Sequence, residues 1–338
     1  MNPENYDSQQ RIVELSAKNP TVNPNLEDLL NTPLPDYYQG VESMTTKRRE
    51  ELDTQHGRYW ERLVTMSDGH QHTELIGLSN LPDANELVVS IPAWWTRLDG
   101  GLNKLTSDHF LEQGRHTLTK GVTENRLAAL SRGAHDLHAS LDHNNQGLEY
   151  YFDASNILVH GDSNGAMQGT GILVYAEEHN RDVSDAFLVD PCIVHKIGRL
   201  DVQKFIDHPS YLPKEILTIT RHIIKTVQHP ELDISEFAKT IESNPKRLLG
   251  NVMLTQALFS GEFGLLLANL PAEQRVHFVL FNHSLANQKS RMLQILDTSP
   301  ANTTSEIRPG THTSIADPQV IKDKVNYLTS ERQLSLIT

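Results

Sequence analysis

Apolar and polar side chains alternate most clearly between residues 59 and 94, where the pattern predicts short β-strands. Three runs share this alternation and are separated by the turn-like sequences SDGHQ and PDAN: WERLVTMS, HTELIGLSNL and ELVVSIPAW. Short β-rich runs bounded by Gly, Asp, Asn and Pro commonly pair with the next run along the chain. We therefore expect a hairpin or meander followed by an inner strand.

Beyond residue 100 the apolar spacing changes from two to three or four, which is the period of a helix. Residues 103–113 and 123–142 carry this spacing. The chain then alternates between a strand, a helix and a second strand, in the sequences ASNILVHG, GAMQGTGILVYAEEHN and DAFLVD. Alternation of this kind is typical of a mostly parallel sheet with helices on both faces.

The alternation stops at residue 196 and resumes after residue 271. The interruption contains several amphipathic helical patterns and no convincing strand, so we expect a helical lid over residues 196–271. The later elements are a strand, a helix, a short final strand and a last helix: RVHFVLF, residues 287–296, TSEIRPG, and Asp317 to about Thr329. The α/β core is therefore expected over residues 57–195 and 272–338.

The first 56 residues differ from the rest in being polar and repeatedly interrupted by proline. Four prolines lie close together in this segment, at Pro20, Pro24, Pro33 and Pro35, and Pro3 lies near its start. Such a composition favours an extension with little core of its own. We interpret residues 1–56 as a polar N-terminal extension that holds a short helix or two and is partly mobile.

Charge and composition narrow the classes of function. The chain of 338 residues is 38% hydrophobic and 22% charged, which suits a globular α/β protein. Its formal net charge of −13 repels phosphate backbones and anionic lipid, so nucleic-acid and membrane-surface binding are disfavoured. Neither nucleic acid nor a membrane surface is therefore expected as a partner, and the composition does not predict an oligomeric state.

The compartment is predicted from what the sequence lacks. Cys192 is the only cysteine, so no intrachain disulfide can form, as suits a reducing environment. The first 20 residues show no basic segment followed by an apolar one, and the apolar run at 263–270 is too short for a spanning helix. A cytoplasmic protein without a membrane span is expected.

The sequence GDSNG at 161–165 carries the strongest chemical signal. Its serine, Ser163, lies between a predicted strand and a predicted helix, where a sharp turn would expose the hydroxyl above the sheet. Glycines at 161 and 165 remove side chains that would collide across such a turn. The backbone N–H of Asn164, at the start of the helix, would point towards a developing oxyanion. The pattern predicts a nucleophilic serine, whereas an ordinary glycine-rich loop is the alternative.

These residues resemble the nucleophile elbow of the α/β-hydrolase family, and the order of elements over residues 59–338 resembles that family too. The resemblance implies a mostly parallel central sheet, helices on both faces and an inserted helical lid. It implies that His312, in the sequence PGTHTS before the last helix, is the catalytic histidine. It also implies a second oxyanion donor after the third strand, in the sequence SIPAWWT.

Two parts of the family pattern are missing. The SIPAWWT turn lacks the usual His-Gly pair, so the second donor is Ala93, Trp94 or Trp95, of which Trp94 is our choice. The turn after RVHFVLF reads NHSLAN and holds no carboxylate. Some members place the acid after the preceding strand, where this chain has Asp190, and Asp297 is a less favoured choice.

The remaining candidates have simpler interpretations. Trp95 either lines an acyl pocket or covers the sheet edge, and Asp162 faces solvent or contacts the lid, where it would meet substrate. Histidines in GHQH at 69–72 and HDLH at 135–138 lack a third convergent ligand, so we expect solvated side chains and no metal.

We therefore expect a serine hydrolase, similar to serine esterases, that acts on an ester, thioester or related acyl substrate with an apolar portion. No cofactor is expected. Transfer of the acyl group to an alcohol or amine is an alternative. A second alternative is a degenerate, non-catalytic binding protein, since such a protein would be expected to lack the acid and the His-Gly pair.

Overall fold

The computed structural model describes residues 41–67, 71–93, 96–121, 148–152, 156–191, 274–284 and 302–330, with residues 26, 30, 145, 267, 269, 270, 296 and 297. Nine strands lie within these residues: β1 (Val41–Arg48), β2 (Gly57–Met66), β3 (Gln71–Ser79), β4 (Glu86–Ile91), β5 (Arg115–Lys120), β6 (Asn156–Asp162), β7 (Val183–Val189), β8 (Arg275–Phe281) and β9 (Thr303–Arg308). They form one sheet in the order β1-β2-β3-β5-β4-β6-β7-β8-β9.

The sheet is antiparallel at one end and parallel over the rest. β1, β2, β3 and β5 pair antiparallel in succession. From β5 through β4, β6, β7 and β8 to β9, every pairing is parallel. The parallel strands therefore bring their carboxyl ends to a common edge, which is where open α/β sheets build their sites.

Helices cover both faces of the sheet. The described helices are α1 (Gly101–Glu112), α2 (Glu149–Phe152), α3 (Asn164–Glu178) and α4 (Pro318–Thr329), with short 3₁₀ helices at Glu50–Leu52 and His312–Ala316. Because successive strand side chains point to opposite faces, Val159 of β6 packs in the layer under α3, whereas Leu158 packs in the layer under α1 and α4. The predicted mostly parallel sheet with helices on both faces is confirmed.

Most predicted elements of the core are present. The three alternating runs correspond to β2, β3 and β4, and the strand–helix–strand unit corresponds to β6, α3 and β7. The late elements correspond to β8, β9 and α4. The predicted helix at 123–142, most of the one at 287–296 and nearly all of the lid at 196–271 lie outside the described residues. None of the described helices has the length and apolar character needed to span a bilayer.

Two strands were not predicted, and one of them corrects the expected N-terminal extension. β1 lies inside residues 1–56 yet pairs along its length with β2. β5 was missed because its sequence, RHTLTK, is polar, although every residue after Arg115 is buried. Both strands are held by pairing with strands elsewhere in the chain, which local apolar spacing does not report.

Candidate active site

Ser163 occupies a strained turn between β6 and α3. Its φ of 59° and ψ of −118° lie where side-chain-bearing residues are rarely found. Such backbone persists only when its surroundings hold it, and it clusters at functional sites. The hydroxyl is thereby placed at the carboxyl edge of the parallel strands, as the GDSNG motif predicts.

Two glycines permit this turn because backbone passes very close to each of them. A Cβ at Gly161 would lie 2.4 Å from the carbonyl oxygen of Gly165, and a Cβ at Gly165 would lie 2.0 Å from that of Ile91. Neither contact can be relieved by rotating a side chain. The first turn of α3 therefore packs directly against the end of β4.

We expect Gly165→Ala to lower the free energy of unfolding by about 3 kcal/mol, since backbone must shift to admit the methyl group. Urea denaturation measures this. Gly169→Ala is the matched control in the same helix, because the atoms nearest to its added Cβ are side-chain methyl groups of Leu188 and Val159, at 2.8 and 3.2 Å, rather than backbone. The gain in helix propensity should offset part of this crowding, so the net cost should be about 1 kcal/mol or less. Equal effects at the two glycines would contradict the close approach of α3 to β4.

His312 reaches Ser163 from the other end of the sequence. It begins the 3₁₀ helix that follows β9, and Thr311 and Ser314 form a reciprocal capping box around it. The imidazole Nε2 lies 2.8 Å from the Ser163 hydroxyl oxygen. The ring is partly exposed, whereas Ser163 is buried.

Asp190 lies on the far side of the same imidazole. It directly follows β7, has a φ of 47° and is completely buried. Its Oδ2 lies 2.5 Å from His312 Nδ1. The carboxylate also accepts hydrogen bonds from the backbone N–H of Phe281 at 3.2 Å and from the Ser284 hydroxyl at 2.5 Å.

The structure thus brings together the three residues that the sequence analysis selected for the chemistry. With its Nδ1–H donated to Asp190, the imidazole presents an unprotonated Nε2 to the Ser163 hydroxyl. Asp297, the less favoured acid, is an exposed residue. The sequence analysis missed two groups that bind Asp190. The Ser284 hydroxyl lies in the NHSLAN turn, which was noted only for lacking a carboxylate, and the Phe281 N–H ends β8, where no sequence pattern marks it.

Comparison of the sequence with family models and with curated proteins gives no match. Solved structures do match. A hydrolase from Pseudomonas aeruginosa PA01 has a TM-score of 0.55 at 12% identity, over 80% of this chain and 98% of that one. A cold-adapted esterase from an Arctic intertidal metagenomic library has a TM-score of 0.52 at 11% identity, over 85% and 98% of the two chains. The chain has the α/β-hydrolase fold.

A third similar structure is a soluble variant of monoglyceride lipase from Saccharomyces cerevisiae, with a TM-score of 0.52 at 11% identity, over 83% of this chain and 96% of that one. Identities this low establish the shared fold and nothing finer. The residue roles below are therefore argued from the geometry of this chain.

The oxyanion donors that the sequence analysis expected lie only partly within the described residues. Asn164 is the first residue of α3, so its backbone N–H belongs to the first turn, where N–H groups have no partner within the helix. Trp94 and Trp95 lie outside the described residues, so the choice of Trp94 as the second donor and the pocket role of Trp95 stay predictions. Ala93, the other donor considered, is half-buried beyond β4.

Asp162 corrects the sequence analysis, which expected it to face solvent or the lid. Its side chain is buried beneath the elbow, where both carboxylate oxygens contact Lys324 Nζ, at 3.0 and 3.1 Å. Burial alone would raise the pKa of this carboxyl, but the groups packed beside it, with Lys324 Nζ in contact with both oxygens, hold that pKa at about 2. The side chain therefore points away from the Ser163 hydroxyl and is withdrawn from the substrate-binding candidates.

The structure also corrects the prediction that the histidines of the GHQH and HDLH motifs are solvated. His72, expected to be solvated, is buried on β3 and its Nε2 lies 3.0 Å from Glu74 Oε1. The other histidines of the two motifs, His70, His135 and His138, lie outside the described residues. Within the described part of the chain, no group of three or more His, Cys, Asp or Glu side chains is arranged to hold a metal ion.

Proposed function

We propose that this protein is a serine hydrolase that cleaves an ester, thioester or related acyl compound. The observation that carries the proposal is the continuous chain of contacts from Ser163 Oγ to His312 Nε2 and from His312 Nδ1 to Asp190 Oδ2. A strained serine whose hydroxyl meets a carboxylate-oriented imidazole is the arrangement that activates serine as a nucleophile.

In the first half of the reaction, Ser163 Oγ attacks the carbonyl carbon while His312 Nε2 accepts the hydroxyl proton. The imidazolium then donates that proton to the leaving alcohol or thiol as the bond to the carbonyl carbon breaks. The product left on the protein is an acyl ester of Ser163. Asp190 keeps the Nδ1 proton in place and stabilises the imidazolium, without itself taking up a proton.

In the second half, His312 accepts a proton from water, and the resulting hydroxide oxygen attacks the acyl ester. The proton returns through Nε2 to Ser163 Oγ as the carboxylic acid leaves. In both halves the negative charge develops on the carbonyl oxygen, and two backbone N–H groups are needed to stabilise it. We assign these to Asn164 and to one of residues 93–95, with Trp94 preferred.

The fold's known members support the reaction class rather than the substrate. Three of the proteins with similar structures are an esterase, a monoglyceride lipase and an enol-lactonase. An apolar portion of the substrate follows from the predicted lid over residues 196–271, whose sequence is rich in Leu, Ile and Phe. Closure of such a lid would exclude water from the acyl group.

A fluorophosphonate probe tests the proposal directly, because it forms a stable covalent adduct only with an activated serine. We expect one adduct per chain, located by mass spectrometry on the peptide that contains Ser163. A panel of nitrophenyl esters of increasing acyl length should then be hydrolysed, with a preferred length that reports the depth of the pocket.

The alternatives predict different results in the same experiment. An acyltransferase would be labelled at Ser163 but would turn over esters much faster when an acceptor alcohol or amine is added. A non-catalytic binding protein would not be labelled at all, and that outcome would reject the proposal. Asp190 beside His312 weakens this second alternative, which relied partly on a missing acid.

A further inference from the structure

A second polar cluster lies beneath the elbow and takes no part in the reaction as written above. Lys324 Nζ contacts both oxygens of Asp162 and lies 2.8 Å from His160 Nε2. His160 Nδ1 lies 2.6 Å from the Ser90 hydroxyl oxygen. We call Ser90, His160, Asp162 and Lys324 the elbow cluster.

The hydrogen-bond donors of the elbow cluster can be assigned from its chemistry. An ammonium group can only donate, so His160 Nε2 accepts from Lys324 and the ring proton resides on Nδ1, facing Ser90. The imidazole is then neutral. Burial and the charge of Lys324 both lower the pKa of His160, while Asp162 opposes them. The cluster therefore holds one negative and one positive charge.

The surroundings of the elbow cluster are apolar. Lys324 has no exposed surface, and His160 and Asp162 are each only 2% exposed. They lie in the layer under α1 and α4, which contains Phe110, Leu158 and Val325 among its buried side chains. Phe187 of the neighbouring β7 pairs in register with His160. Ser90, Asp162 and Lys324 are the polar and charged groups that face the imidazole among the described residues.

Stability alone is a poor explanation for such a cluster. Removing two charges from water costs several kcal/mol per ion, and apolar side chains of similar size are often as stabilising as a buried ion pair. What an ion pair adds is direction, because its partners must meet at fixed distances and angles. The position of the elbow cluster shows which parts of the chain it aligns.

The elbow cluster joins the two segments that carry Ser163 and His312. Asp162 directly precedes Ser163 and ends β6. Lys324 lies on α4, which follows the 3₁₀ helix of His312 after a single residue, Asp317, that ends one helix and caps the other. A bond between Asp162 and Lys324 therefore links the two sides of the Ser163–His312 contact from below.

We infer that Lys324 is a positioning residue, which holds Ser163 and His312 in register by binding Asp162 and His160 between α4 and β6. The inference rests on the proposed function for its catalytic consequence. Lys324 contacts no reacting atom, so its loss should alter the alignment of the pair without removing either group. An alignment error of about 1 Å at such a pair lowers rates by about 100-fold.

The test compares Lys324→Met, the double variant Lys324→Met/Asp162→Asn and the control Asp323→Asn. Methionine keeps the unbranched shape of lysine, and the second substitution removes the carboxylate that would otherwise be buried without its cation. Asp323 neighbours Lys324 on α4, but its ion pair is with Arg308 of β9, at 2.7 Å. The readouts are the fluorophosphonate labelling rate, kcat and KM for a nitrophenyl ester, and the urea midpoint.

We expect the double variant to regain most of the urea midpoint that Lys324→Met loses, yet to be labelled about 100-fold more slowly than wild type. KM should change little, whereas kcat should fall with the labelling rate. Asp323→Asn should be labelled at nearly the wild-type rate. A folded double variant that is labelled within about threefold of wild type would overturn the inference.

The pH profile separates positioning from a general loss of packing. In Lys324→Met, His160 lies 3.1 Å from Asp162 without the opposing ammonium, so it can take up a proton and replace the missing cation. Because His160 and Asp162 both lie on β6, that proton neutralises the carboxylate without restoring the link to α4. The urea midpoint relative to wild type should therefore be highest at low pH, whereas the labelling rate relative to wild type should stay low at every pH. Recovery of labelling at low pH would show that Lys324 acts through charge balance alone and would overturn the inference.

A failure of the proposed function can be told apart from a failure of this inference. If wild type is not labelled, the hydrolase proposal fails, and the NMR signal of the His312 Nδ1 proton still reports alignment. That proton lies in a 2.5 Å contact with Asp190 and should resonate far downfield in wild type. Loss or broadening of this signal in the double variant, with no change in Asp323→Asn, supports the inference. An unchanged signal in the double variant overturns it.

Discussion

Replacing Ser163 with alanine is expected to abolish fluorophosphonate labelling and to lower kcat for nitrophenyl esters by about 10⁶-fold, as removing the nucleophile of a serine–histidine pair does. The hydroxyl that His312 Nε2 contacts at 2.8 Å is then gone, and no acyl ester can form. Binding and the oxyanion donors would leave a small residual rate over the uncatalysed reaction. Stopped and continuous ester assays measure the loss.

Two further variants make this result specific. His312→Ala should lose nearly as much activity, and Ser163→Ala/His312→Ala should lose no more than either alone, because the two residues act as one unit. Ser184→Ala is the matched control: this buried serine is the second residue of β7, at the opposite end of the strand from the elbow, and it donates to Asn156 at 2.6 Å. Retention of substantial labelling by Ser163→Ala would place the nucleophile elsewhere and reject the mechanism.

Asp190→Asn is expected to lower kcat by about 10⁴-fold with a much smaller change in KM. An amide at this position can offer an N–H where the carboxylate oxygen accepts the Nδ1 proton of His312. The imidazole would then favour the tautomer with its proton on Nε2, which cannot accept the proton of Ser163. The same nitrophenyl ester assay measures the effect, and circular dichroism shows that the variant folds.

Asp185→Asn provides the comparison for Asp190→Asn. Asp185 is a buried carboxylate on β7, the strand that Asp190 follows, and it binds the Arg275 guanidinium at 2.7 Å instead of a histidine. Its substitution should reduce stability while leaving kcat within a few-fold of wild type. Equal losses at Asp185 and Asp190 would show that Asp190 acts through folding, and near-normal activity of Asp190→Asn would remove it from the mechanism.

The support of Asp190 explains how an acid can work from the end of β7. Its carboxylate is completely buried, a position that is costly for a charge without partners. Phe281, at the end of β8, donates its backbone N–H, and Ser284 of the following turn donates its hydroxyl. The NHSLAN turn has no carboxylate of its own, but its Ser284 binds the carboxylate of Asp190, which follows the neighbouring strand β7.

The sequence immediately around Ser163 was sufficient to predict the elbow. The strand before Ser163, the helix after it and the two small residues around it all lie within about 25 residues, so their patterns can be recognised together. Alternation and helical spacing likewise predicted the strands and helices with apolar interiors, because each buries one face against the sheet. The parallel architecture followed from the order of those elements.

Features that depend on distant partners were predicted poorly. β1 and β5 are polar segments whose place in the sheet comes from pairing with β2, β3 and β4. Asp162 was expected to face solvent or to contact the lid, because the cation that pairs with this buried carboxylate is not near it in the sequence. Its partner, Lys324, is 162 residues away.

By itself, the sequence determined the fold class, the nucleophile candidate and the candidate histidine. Only the tertiary structure decided which carboxylate reaches His312 Nδ1, what supports that carboxylate and what lies beneath the elbow. The physical reason is that a buried charge is tolerated only where partners converge on it in space. Asp190, Asp162 and Lys324 meet their partners through the packing of separate strands and helices, and no spacing along the chain records those contacts.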